Sequence, residues 1–111
     1  MPLDGLTMEQ YFRSAVDTNR LYPEEYKIIY PALGLGGESG EVLEKIKKGI
    51  RDKGGNFDKE DIIRELGDVL WYLCATADDL GYTLDDVAWA NIKKLEDRRN
   101  RNKIKGDGDN R

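Results

Sequence analysis

The 111-residue chain contains no histidine and only one cysteine. Zinc sites and di-iron carboxylate bundles draw on histidine or cysteine, the latter class through an acid-x-x-His motif, so the missing histidine argues against both. A lone Cys74 cannot close an internal disulfide. Its place inside an apolar run marks it as a small buried hydrophobe, in a protein expected in a reducing cytoplasm. Long hydrophobic runs are also absent. The longest, VLWYLCATA, falls far short of the ~20 residues that cross a bilayer, and the opening MPLDGLTMEQ lacks the basic start and apolar stretch of an export signal. The expectation is a soluble cytoplasmic protein with no membrane partner. Nor is there an excess of positive charge. Eighteen Lys and Arg face 22 Asp and Glu, a net charge of −4 with a pI near 4.9, which argues against nucleic acid as the main partner.

The charge is unevenly placed. Residues 98–111 hold six Lys or Arg against two Asp, so +4 sits on the tail and −8 on residues 1–97. An acidic body suits cations, or anions bridged by cations. No segment alternates with the period of a strand and no repeat is present, whereas helix signals dominate. Thr7 with Gln10 forms a capping box for a helix over about residues 8–18. Pro23 and Pro31 make the next segment a loop with a short helical turn, or the kinked start of a second helix over about residues 32–48 that Gly49 with the DKGGN cluster ends. Asp58 caps a third over about residues 59–80, and Thr83 with Asp86 opens a fourth over about residues 84–101. The expected fold is all-α, a four-helix bundle-like single domain over residues 1–100 followed by a basic, glycine-containing tail at 101–111.

Two acid pairs stand in apolar surroundings, Glu38 with Glu41 and Glu65 with Asp68. Turning the third helix by ~100° per residue from Glu65 places Ile62, Leu66, Val69, Leu70, Leu73, Ala77 and Leu80 between about 40° and 140°, with Asp68 near 300° and Tyr72 near 340°. The second helix, turned from Glu38, repeats the layout: Leu35, Val42, Leu43, Ile46 and Ile50 on the apolar stripe, Glu41 near 300° and Lys45 near 340°. If both stripes enter one core, the acid strips meet along a margin and four carboxylates converge. Such crowding calls for a compensating charge, and a hard divalent cation with oxygen ligands, Mg²⁺ or Mn²⁺, supplies it.

A single acid-x-x-acid pair in a chain that is 36% charged is ordinary solvated surface; Asp58 with Asp61, and Asp78 with Asp79, are read that way. Two pairs on matching strips of neighbouring helices favour ligands. Gly34, Gly36, Gly37 and Gly40 each cost the helix about 1 kcal/mol against alanine, which fits close approach of backbone, metal or ligand, or else packing of a neighbouring helix.

The segments GLGGESGEVLEKIKK, IIRELGDVLWYL, NIKKLEDR and GDGDNR resemble the MazG-type nucleotide pyrophosphohydrolases of the all-α NTP pyrophosphatase group, from about Tyr30 onward. That family's motif is E-E-x-x-E, a spacer, then E-x-x-D. Glu38 and Glu41 match its second and third acids, Glu65 and Asp68 its closing pair, and Gly37 stands where the first acid would be. The resemblance implies cleavage of a nucleoside triphosphate between the α and β phosphates, giving a monophosphate and pyrophosphate, with Mg²⁺ (Mn²⁺ as substitute) held by Glu38, Glu41, Glu65 and Asp68. Glu38 or Glu41 would also orient or deprotonate the attacking water.

Lys45 shares the acid strip, and Asn91, Lys94 and Arg98 fall on one face of the fourth helix; the resemblance places these at the phosphates or sugar, the alternative being a charged solvent face. Arg98, Arg101 and Lys105 would close over the phosphates with the tail as a lid, unless the tail is simply disordered. Trp71 or Tyr72 would stack on the base, or belong to the core; Trp89 is read as core or interface, and Tyr22, Tyr26 and Tyr30 as further pocket lining. The third helix, with Ile63 and Cys74 widening its stripe, is more apolar than one partner helix covers, and a homodimer or homotetramer is expected. Two rival readings are a non-catalytic helical interaction module and a diphosphohydrolase of the same fold acting on dUTP, dCTP or a modified nucleotide.

Overall fold

Three helices begin at caps the sequence supplies. Thr7 and Gln10 exchange side-chain and backbone hydrogen bonds at the start of α1 (Met8–Thr18), Asp58 accepts from the Asp61 backbone at the start of α3 (Lys59–Asp79), and Thr83 with Asp86 forms the second capping box at α4 (Leu84–Asn100). Each satisfies backbone N–H groups that the first turn leaves without partners. The computed structural model describes residues 5–102 and Gly106. Those residues form four α-helices and no strand, with a 3-10 turn at Glu24–Tyr26. The lid expectation for Lys105 and its neighbours in the tail lies outside the described residues. Among the described residues no helix is long and apolar enough to cross a membrane.

The second helix, α2 (Ile29–Asp52), is longer than the expected span of about 32–48, taking in the Pro31 segment and ending inside the DKGGN cluster. It starts before Pro31, because proline in the first turn removes only an N–H that has no intrahelical acceptor. It also runs through Gly49 and stops at Asp52, before Gly54 and Gly55 at φ 63° and 89°. Gly49 is needed for space instead: a Cβ there would overlap the Phe57 ring. At its other end α2 has no side-chain cap. Its entry is fixed by Asp79, whose Oδ2 accepts from the Tyr22 hydroxyl at 2.7 Å and the Ile28 backbone N–H at 2.8 Å. Ile28 sits at φ 69°, a costly conformation for a β-branched residue, which this clamp holds. Asp78 pairs with Arg20 at 3.7 Å. Asp78 and Asp79 are therefore anchors of the loop between α1 and α2, a correction to their reading as solvated surface.

α2 packs chiefly on α3, while α1 lies on α3 and α4 meets both α1 and α3. The α2/α3 pair is antiparallel, and its register can be followed residue by residue: Gly49 faces Phe57, Lys45 faces Asp61, Glu38 faces Glu65 and Asp68, and Gly34 faces Tyr72. The strips bearing the acids thus lie in the seam between the helices. The apolar stripes are only partly covered: Val42, Ile46, Ile62, Val69, Leu70 and Leu73 are half-buried, and Leu43, Ile50, Ile63, Leu66 and Leu80 are exposed. The buried core lies elsewhere, around Ala15, Cys74 and Leu84 with Tyr11, Phe12, Leu70, Trp71 and Leu73 against them. Burial pushes the Cys74 thiol up to about 11, as befits an inert packing residue. Trp89 is exposed beneath the Lys93 ammonium, 5.4 Å from the ring centre, and is no part of this core.

The seam predicts opposite outcomes for two glycines of α2. A Cβ at Gly34 would overlap the Tyr72 ring, whereas one at Gly36 meets nothing within 4 Å. In urea unfolding, Gly34→Ala should lose about 1–3 kcal/mol through overpacking, and Gly36→Ala should gain about 0.4–1 kcal/mol by restricting the unfolded chain.

Candidate metal centre

Glu38 on α2 and Glu65 and Asp68 on α3 each offer a carboxylate oxygen, and these oxygens lie within 4.8 Å of one another. The convergence follows from the register. Gly34 lies one turn before Glu38 and Tyr72 one turn after Asp68, so the contact of the Tyr72 ring with the bare Gly34 backbone lets the helices approach beside the acids. Glu38 and Glu65 are partly buried and Asp68 is exposed. The Glu38 carboxyl is held above its ordinary value by burial first, then by the negative charges of Asp68, Glu65 and Glu41, and by a hydrogen bond to Glu65 that favours the protonated form.

Glu41 stands outside this trio. It is exposed and lines a cleft of ≈ 330 Å³ in which Lys45, Lys48 and Lys53 alternate with the carboxylates of Glu44, Asp52, Asp58 and Asp61. Three of the four expected ligands thus converge, with the fourth one turn along α2 at the rim. The donor set is all oxygen, which fits a hard divalent cation such as Mg²⁺ that retains several waters.

Lys45 Nζ donates to Asp61 Oδ2 at 2.7 Å and lies 3.9 Å from Glu65 Oε1. The hydrogen bond to Asp61 raises the Lys45 ammonium above its ordinary value, and the same bond holds Asp61 below the usual carboxylate range, with Arg64 adding to it. Asp61 is thus part of the site's margin, contrary to its reading as solvated surface. Arg64, at 3.4 Å from Asp61 Oδ1, is a second residue the sequence reasoning missed. Turned from Glu65, Asp61 falls near 320°, on the strip of Asp68 and Tyr72, and that angle was the signal available.

The aromatic candidates divide. Tyr72 flanks the acids, its hydroxyl raised by burial and then by the charges of Tyr30, Glu38 and Asp68. Trp71 donates from Nε1 to the Thr18 hydroxyl at 2.9 Å and so ties α3 to α1, while its edge borders an open hollow with Tyr11, Arg64, Gly67 and Asp68. Tyr22 and Tyr30 stack at 4.9 Å, Tyr22 serving the Asp79 clamp, and Tyr26 is exposed.

Two of the α4 candidates line a hollow away from the acid trio. Asn91 and Lys94 line a separate hollow with Ala77, Leu80, Tyr82 and Trp89. Ala77 is nine residues beyond Asp68, roughly 14 Å along the helix. Arg98 is buried at 4% exposure, which departs from the alternative reading of a charged solvent face, and Arg101 pairs with Asp97 at 2.8 Å. α4 rests on α1 and on α3.

A family model described as the MazG nucleotide pyrophosphohydrolase domain matches residues 31–102. The "Gene 37 protein" of Mycobacterium phage L5 is 45% identical over 85 residues, covering 74% of this chain and 75% of the phage protein. No solved structure is significantly similar.

The raised Glu38 carboxyl sets a pH dependence. An acid whose folded value lies above its unfolded one costs nothing below the unfolded value, 4.5 ordinarily, and lowers stability as pH rises through the folded value. In thermal melts with a chelator present, Glu38→Gln should melt higher than the wild type at neutral pH, and the difference should vanish below about pH 4.

Proposed function

The chain belongs to the MazG nucleotide pyrophosphohydrolase family, and from that premise we propose that it hydrolyses nucleoside triphosphates between the α and β phosphates, with Mg²⁺ held by Glu38, Glu65 and Asp68 and Glu41 at the rim. The observation that carries this reading is the convergence of three carboxylates from two helices on one small space, beside a cleft lined by lysines and carboxylates. The bound cation would polarise phosphoryl oxygens and lower the pKa of a water.

The chain's own groups supply the rest. Glu38, held above its ordinary value, and Glu41, outside the trio, are the two carboxylates that can orient the attacking water and accept its proton. The water oxygen bonds to the α-phosphorus as the bond to the bridging oxygen breaks, and pyrophosphate departs. Lys45, with Lys48 and Lys53 in the cleft, offers charge to the departing phosphates. Tyr72, beside the acids and against Gly34, is the aromatic surface placed for the base or sugar. Trp71 would contribute its exposed edge.

We further propose a homodimer or homotetramer. Supporting it are Leu33, Leu43, Ile50 and Ile63, each more than 60% exposed in the single chain. Asn91 and Lys94, remote from their own chain's acids, would then serve a neighbouring copy's site. Equilibrium sedimentation should return two or four times the 12.7 kDa chain mass; a monomer at micromolar concentration would oppose this.

Activity is tested with a panel of nucleoside triphosphates and Mg²⁺, following products by chromatography. Monophosphate and pyrophosphate are expected. Glu38→Gln and Asp68→Asn should each lower kcat/KM by about 10²-fold or more with helicity kept. Release of single phosphate from the γ end, or unchanged turnover in both variants, would contradict the assignment.

A further inference from the structure

Between the acidic trio and the neighbouring cleft lies a contact that the family motif does not include. Lys45 is shared unequally by two carboxylates: a short hydrogen bond to Asp61 at 2.7 Å and a looser ion pair with Glu65 at 3.9 Å. Asp61 is itself fixed. Its backbone N–H is held by Asp58, its other oxygen faces Arg64 at 3.4 Å, and it lies one turn before Glu65 on α3. We infer that Asp61 is a positioning residue that parks the Lys45 ammonium beside Glu65, so that Lys45 is the resident counter-ion of the acidic centre and yields Glu65 to an incoming divalent cation. This rests on reading the trio as a cation site.

The geometry gives each part a reason. Three carboxylates within 4.8 Å repel one another, and Lys45 is an ammonium that faces one of them across the seam. An ammonium hydrogen-bonded to Glu65 would have to break that bond before a cation could take the carboxylate. At 3.9 Å it neutralises Glu65 through space, with its short bond spent on Asp61 instead. When the cation arrives, the attraction of Glu65 for the ammonium falls and the Asp61 bond remains, keeping Lys45 at the mouth of the ≈ 330 Å³ cleft. Without the Asp61 charge, Glu65 is the carboxylate the ammonium closes on.

The test is a Mg²⁺ titration of the nucleotide-free full chain by calorimetry, using Lys45→Met, Asp61→Asn, Asp61→Glu and the Lys45→Met/Asp61→Asn double variant. Lys45→Met should tighten Mg²⁺ about two- to fivefold by removing a competing cation, and Asp61→Asn should weaken it by a similar factor. The distinguishing result is in the cycle: once Lys45 is gone, Asp61→Asn should no longer change the affinity, because Asp61 acts through that ammonium. Asp61→Glu, which keeps the charge, should bind Mg²⁺ like the wild type. Equal weakening by Asp61→Asn with and without Lys45 would overturn the inference, since Asp61 would then be only a distant charge. So would unchanged affinity in Lys45→Met, a conclusion that stands even if Asp61→Asn fails to fold. Because no nucleotide is present, inactivity toward triphosphates would count against the proposed reaction alone, whereas a wild type that binds no Mg²⁺ would overturn both.

Discussion

The constraint on which this protein turns is the repulsion among carboxylates placed in a helix seam. Glu38, Glu65 and Asp68 would each be better solvated apart, and the Glu38 carboxyl registers the cost by resisting ionisation. They are held together by contacts on either side of them. Tyr72 rests on the bare backbone of Gly34 beyond one end of the cluster, and Phe57 rests on Gly49 beyond the other, with the Lys45 and Asp61 pair between. Close packing at glycines is what a helix pair needs if it is to approach through a polar strip, because the apolar side chains that normally hold two helices together are turned partly away from this seam.

That arrangement explains an imbalance in the chain. A helix of 24 residues and one of 21 meet through a strip of acids, glycines and one lysine, while Leu43, Ile50, Ile63 and Leu66 face outward. The buried core is made by α1, α3 and α4 around small residues such as Ala15, Cys74, Ala75 and Ala77. A single copy therefore leaves more apolar surface in water than a stable small domain favours, and it is on this surface that the proposed association of copies rests.

Much of this was written locally in the sequence. Thr7, Asp58 and Thr83 declare helix starts because a capping side chain bonds its own backbone, and no distant partner is needed. The 3.6-residue period placed Glu38 with Lys45, and Asp68 with Tyr72, on common strips. What could not be read depends on partners far along the chain. Gly49 looks like a helix stop until Phe57 is seen lying on it. Asp79 looks like surface until the loop bearing Tyr22 and Ile28 returns to it, some fifty residues away in sequence. Asp61 had the right helical angle, but its meaning came from Lys45 across the seam. For Arg98 the helical face was legible and its burial was not, because burial is decided by how α4 lies on its neighbours.

The central claim is that Glu38, Glu65 and Asp68 share one divalent cation, and the most direct measurement is anomalous diffraction from a crystal soaked in Mn²⁺. A single strong peak is predicted between α2 and α3, roughly 2.1 Å from an oxygen of each of the three carboxylates. A map with no peak there, or with the manganese among the lysines and acids of the neighbouring cleft while the trio points into solvent, would contradict the account.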